Sequence, residues 1–156
     1  PHKGELPAIY ARRIAAEKVA LVAARHPGQI VLAADTVVAC GRRILPKAES
    51  ADQARACLTL LSGRRHRVLS AVTVVDVGGM ARHRLSISVL TFKRLGAAEL
   101  NAYVAGGEWE GKAGGYAIQG HAESFVKHLS GSHSGVMGLP LFETRALLDA
   151  AGAAHG

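Results

Sequence analysis

The sequence predicts a single domain of mixed α and β structure. Its length of 156 residues suits one domain with a sizeable core. Hydrophobic residues make up 49% and charged residues 20%, which excludes a disordered chain. Stretches of helical period alternate with short β-branched apolar runs, and Gly or Pro breaks separate them.

Glu5-Leu6-Pro7 predicts a helix entrance, because proline in the first turn lacks only an N–H that would be unpaired anyway. Ile9, Arg13, Ile14, Val19 and Leu21 follow at roughly helical spacing and predict its apolar face, up to the stop at His26-Pro27-Gly28. Residues 30–34 form an apolar run that reads as a buried strand closing on Asp35. Residues 37–40 continue extended, and Gly41-Arg42 turns the chain into Ile44-Leu45.

Ser50-Ala51-Asp52-Gln53 is a capping box, opening a helix with Ala54, Cys57, Leu58 and Leu61 on its apolar face. Ser62-Gly63 ends it. Residues 68–77 and 84–92 bracket Gly78-Gly79 and predict a long hairpin. Residues 97–104 predict a third helix, closed by Gly106-Gly107. Two glycine-rich loops follow, over residues 106–120 and 131–138, longer than simple connections need. Between them, residues 124–129 are extended or helical; periodicity does not decide. Pro140 starts a last helix carrying Leu141, Phe142, Leu147 and Leu148.

Nineteen Lys and Arg against twelve Asp and Glu give a formal charge of +7, which points to an anionic partner. Aromatic residues make up only 4%, too few for base-stacking platforms, and the arginines are scattered, so a small anionic ligand is favoured over nucleic acid. The longest stretch free of Asp, Glu, Lys and Arg, residues 128–142, is too short and too polar to span a bilayer. Two cysteines, Cys40 and Cys57, make no disulfide framework, so a cytoplasmic location is expected.

Asp35 is the sharpest candidate. A carboxylate at a strand end can hold a divalent cation or deprotonate a water, and it can equally serve as a turn or cap residue. Lys18, Lys47 and Lys112 are candidate phosphate ligands, since an ammonium is a point charge suited to a triphosphate. Gly111-Lys112-Ala113-Gly114-Gly115 fails the Walker pattern, because no Ser or Thr follows the lysine. Gln119 offers a donor beside an acceptor, which suits the edge of uracil or thymine. His128 and His133 have a finger-like spacing without a cysteine pair, and no His-Glu-x-x-His occurs. Gly131-Ser132-His133-Ser134-Gly135 has His where a hydrolase elbow needs Ser.

Together these segments resemble the Maf family of nucleoside triphosphate pyrophosphatases. Ala34-Asp35-Thr36-Val37-Val38, Gly41, Ile44-Leu45 and Lys47 resemble its early motif. Leu60-Leu61-Ser62-Gly63 with His66-Arg67-Val68 resembles the next block, and residues 112–120 its most distinctive loop. Val136-Met137-Gly138-Leu139-Pro140-Leu141 completes the pattern, and Tyr10, Arg13 and Lys18 match its first helix.

The resemblance implies an elongated α/β fold, a mixed sheet flanked by helices, related to the inosine triphosphate pyrophosphatases. It implies hydrolysis of a nucleoside triphosphate to the monophosphate and pyrophosphate, with Mg²⁺ or Mn²⁺. Asp35 then matches the catalytic base, with a role in holding the metal as well. Lys18 and Lys47 match triphosphate ligands, and Thr36 and Gln119 match positions tied to base choice. The form of the loop resembles the branch acting on dTTP and UTP. A homodimer is expected on the same resemblance, and neither a nucleic-acid nor a membrane partner is. The family's Ser-x-Ser-Pro-Arg-Arg phosphate loop has no match here, so residues 1–156 are expected to form one Maf-like domain that is incomplete at its N-terminus. The rival reading is a nucleotide- or nucleic-acid-binding regulator without catalysis; a weaker one keeps the enzyme but gives it modified purine nucleotides.

Overall fold

The computed structural model describes residues 1–153; residues 154–156, the end of the expected domain, lie outside the described residues. The elements run α1 (Pro7–Arg25), β1 (Val31–Cys40), β2 (Arg43–Leu45), α2 (Ala51–Leu61), β3 (Arg65–Val75), β4 (Ala81–Phe92) and α3 (Ala97–Gly106). A 3₁₀ turn (His121–Phe125), β5 (Val126–Ser130), α4 (His133–Met137) and α5 (Leu141–Ala150) complete the chain. No described helix is long and apolar enough to cross a membrane.

The strands form one sheet in the order β2-β1-β3-β4-β5. The expected α/β class, a sheet flanked by helices, is observed. The mixed pairing is not: every described strand pair is antiparallel. β1–β2 and β3–β4 are hairpins, and β2 with α2 returns the chain to β3 running opposite to β1; a parallel neighbour would need a crossover that restores direction.

Register sorts the side chains onto two faces. Val31 and Val37 of β1 and Ala71 and Val75 of β3 face α1, where they meet Val19, Ala11 and Ala15. Val38 and Val68 face the other way, into the main core with Leu58, Leu61, Leu90, Phe92 and Tyr116. Val72 and Val74 on that face meet Leu147 of α5. Each large apolar side chain buried there contributes roughly 1.5–3 kcal/mol.

The face of α1 differs from the periodic reading. Pro7, Ala11, Ala15 and Val19 are buried at i, i+4 spacing, whereas Ile9 and Leu21 are 55% and 66% exposed. Small side chains let the helix lie close on the sheet, so proximity rather than hydrophobicity selects the inward stripe. Cys57, Ala54, Leu58 and Leu61 of α2 are buried as the pattern predicts. The capping box at Ser50 is displaced by one residue: Ser50 Oγ accepts from Gln53 N, while Gln53 Oε1 accepts from Glu49 N.

The β3–β4 turn is built on Asp76, whose Oδ1 accepts from Gly78 N and Met80 N while Oδ2 accepts from Arg82. The undecided stretch near residue 126 splits into a 3₁₀ turn and an edge strand. The predicted loop at 131–138 contains a short helix capped by Ser132 Oγ, which accepts from Gly135 N.

His66 is buried in the main core. Its Nε2 lies 2.6 Å from Tyr116 Oη and its ring meets Phe92 edge-on. Burial lowers its pKa to about 4. An unfolded chain takes up this proton near pH 6.5, so the group's contribution is whole above that pH and is lost as pH falls toward 4. We expect His66→Gln to remove about 3 kcal/mol of the stability difference between pH 7 and pH 4, by the linkage relation. Denaturant unfolding of both proteins at the two pH values checks this; identical pH dependence would contradict it.

Candidate active site

β2 is short. It pairs only with Val38, Ala39 and Cys40, so the outer edge of β1 from Val31 to Val37 has no strand beside it among the described residues. Two adjoining cavities of about 230 and 450 Å³ wrap this edge. They share Lys18, Asp35, Thr36, Lys47 and Ala113. Because alternate residues of a strand point oppositely, Asp35 lies on the α1 face and Thr36 on the main-core face. Both cavities nevertheless touch both side chains.

Asp35 was expected at the end of its strand. It lies inside β1, which runs on to Cys40. Its carboxylate is buried, and Oδ1 accepts from Lys18 Nζ at 2.7 Å. Lys18 projects from α1 and also reaches the Ala34 carbonyl at 3.4 Å. Oδ2 takes no protein hydrogen bond among the described residues and stays open to a ligand.

Lys47 is exposed on the segment after β2. That segment is laced to the first glycine-rich loop: Gly111 N donates to Ala48 O, Ala48 N to Lys112 O, and Gly114 N to Pro46 O. The lacing brings Lys112 into the same cleft. Gly114 sits at φ 67°, and a Cβ there would come within 2.9 Å of Val38 Cγ1, so the loop needs glycine to lie this close to β1. Three lysines against one aspartate make the cleft an anion site.

Thr36 and Gln119 complete the cleft. Thr36 Oγ1 lies 3.0 Å from Ser70 Oγ, its register partner on β3. Gln119 is exposed and its amide has no protein partner among the described residues. Asp35, Lys18, Lys47, Lys112, Thr36 and Gln119, the six candidates from the sequence, therefore line one cavity. Tyr116, Val68, Val136 and Met137, which wall the cavity, were not singled out as site residues, because apolar lining looks like ordinary core in sequence. Burial pushes the Tyr116 phenol up and keeps it protonated. Arg13, matched with the first helix, lies outside this cavity and forks onto Glu5 at 2.8 and 3.0 Å.

No cluster of three or more His, Cys, Asp and Glu exists among the described residues, so no all-protein cation cage is present there. A single open carboxylate does fit a hard divalent cation of the kind that shares its coordination between one carboxylate and substrate phosphates.

The chain is 64% identical over 152 residues to a dTTP/UTP pyrophosphatase of Novosphingobium aromaticivorans, covering 97% of this chain and 76% of that protein. It is 59% identical to a protein of the same name from Paramagnetospirillum magneticum, covering 97% and 80%. It is 51% identical over 148 residues to a nucleoside triphosphate pyrophosphatase of Ehrlichia ruminantium, covering 95% and 77%. The family model described as Maf-like protein matches residues 1–151. The chain belongs to the Maf family.

Proposed function

We propose that this chain hydrolyses dTTP and UTP to the monophosphate and pyrophosphate. The observation that carries the reading is the meeting of Lys18, Asp35, Thr36, Lys47 and Gln119 at one open strand edge. The relatives, named as pyrophosphatases acting on dTTP and UTP, support the same substrate class.

Asp35 takes the proton of a water that attacks the α-phosphorus. The α–β anhydride bond breaks, and pyrophosphate leaves with the bonding electron pair. Lys18 exchanges its contact with Asp35 for the triphosphate, and Lys47 stabilises charge on the leaving group. Asp35 is the residue that would hold Mg²⁺ or Mn²⁺. A bound divalent cation supplies charge neutralisation of the phosphate oxygens. Thr36 and Gln119 read the pyrimidine edge. The two free thiols, Cys40 and Cys57, support a reducing, cytoplasmic setting. A homodimer is proposed on the family resemblance.

Asp35→Asn is expected to lower pyrophosphate release by roughly 10²–10⁴-fold, the range for a lost general base, while nucleotide binding survives. A panel of nucleoside triphosphates, assayed with and without Mg²⁺, checks this and the substrate class together. Turnover retained by the variant would sink the base assignment, and no release by the parent with any nucleotide would sink the activity. Gln119→Ala is expected to flatten the preference among nucleotides more than it slows UTP. An unchanged preference profile would count against its role.

A further inference from the structure

Gln119 alone does not explain a preference for uracil or thymine. Its amide is exposed and free of protein partners among the described residues, so it can turn over. One orientation pairs with a ring N–H beside a carbonyl, as in uracil. The other pairs with an unprotonated ring nitrogen beside an amino group, as in cytosine. Discrimination needs a second group whose polarity cannot reverse.

Thr36 is such a group, and the reason lies behind it. Ser70 is fully buried on β3, and its Oγ donates to the Gly135 carbonyl at 2.5 Å. A carbonyl only accepts, and a serine hydroxyl carries one proton, so that proton is committed. The 3.0 Å contact between Thr36 Oγ1 and Ser70 Oγ is therefore made by the proton of Thr36. The other contact of Thr36, 3.4 Å to the Gly138 carbonyl, is longer than the roughly 2.5–3.0 Å of an O–H···O bond, so the proton rests on Ser70. The hydroxyl has only lone pairs left to offer a ligand.

The relay is held by its surroundings. Thr36, Ser70 and Ser86 stand opposite one another across β1, β3 and β4. A Cβ at Gly135 would lie 2.9 Å from Ser86 Oγ, so glycine there lets the carbonyl sit down onto this row of small side chains. Ser132 and Ser88 tie the start of the same segment: Ser132 N donates to Ser88 Oγ at 2.9 Å.

We infer that Ser70 is a positioning residue for base choice: by giving its proton to Gly135 it forces Thr36 to act only as an acceptor, so the cleft takes a ring N–H and rejects an unprotonated ring nitrogen. This rests on the reading that Thr36 meets the base.

The test is the ratio of kcat/KM for CTP to that for UTP. It is measured in the parent, Ser70→Ala, Ser70→Cys, Thr36→Val and the Ser70→Ala/Thr36→Val double variant. Freeing the Thr36 proton in Ser70→Ala should raise the ratio about tenfold, the scale set by one mispaired hydrogen bond. Ser70→Cys keeps a donor at the position, a larger and weaker one, and should raise it less; it also serves if Ser70→Ala does not fold. In the Thr36→Val background Ser70→Ala should change nothing further. A ratio unmoved in both Ser70 variants but raised in Thr36→Val overturns the relay and leaves the base reading intact. A ratio unmoved by Thr36→Val as well overturns both. A change from Ser70→Ala that is equal in both backgrounds means that Ser70 acts without Thr36, and also overturns the inference.

Discussion

The site depends on two strand neighbours that point apart: Asp35 faces α1 and Thr36 faces the main core. β2 pairs with three residues of the ten-residue β1, and among the described residues no strand lies beside residues 31–37 on that side. Here one cleft bends around the strand and reaches both. On one side α1 delivers Lys18 to Asp35. On the other, β3 and the glycine-rich loops frame Thr36 and Gln119. On the proposed function, charge handling and base reading are separated by the thickness of a single strand.

The close packing around that edge is achieved with small residues. Ala11 and Ala15 bring α1 onto the sheet. Gly114 brings the first loop onto Val38, and Gly135 brings the second onto Ser86. Serine on the inner face of β3 and β4 gives up apolar area, and each of these hydroxyls needs a partner when buried. Ser70 and Ser88 find theirs in the backbone of residues 132–135. The loop that walls the cavity is held by these hydrogen bonds, whose direction is fixed, and by Val136, buried in the main core.

Much of this was legible in the sequence. Asp35, Lys18, Lys47 and Gln119 stand out by residue type and Thr36 only by the family resemblance, and all five line one cavity. Lys112 was a candidate by charge alone, and backbone pairing with residues 46–48 carries it to the cleft. Three things were not legible. The inward stripe of α1 is chosen by side-chain size, which a hydrophobic period misreads at Ile9 and Leu21. Strand direction depends on how connections return, which local propensity does not encode. The role of Ser70 depends on what stands across the sheet from it, and a serine within a β-branched run carries no sign of that partner.

On the proposed function, one nucleotide spans β1 from Asp35 to Thr36. The most direct measurement is a crystal structure with a UTP analogue whose α–β bridge is an imido group, resistant to hydrolysis. The triphosphate is expected beside Lys18 and Lys47, the α-phosphate nearest Asp35, and the uracil edge against Thr36 and Gln119. A nucleotide bound instead between α3 and the 3₁₀ turn, in the cavity lined by Tyr103, Glu108, His121 and Phe125, would contradict it.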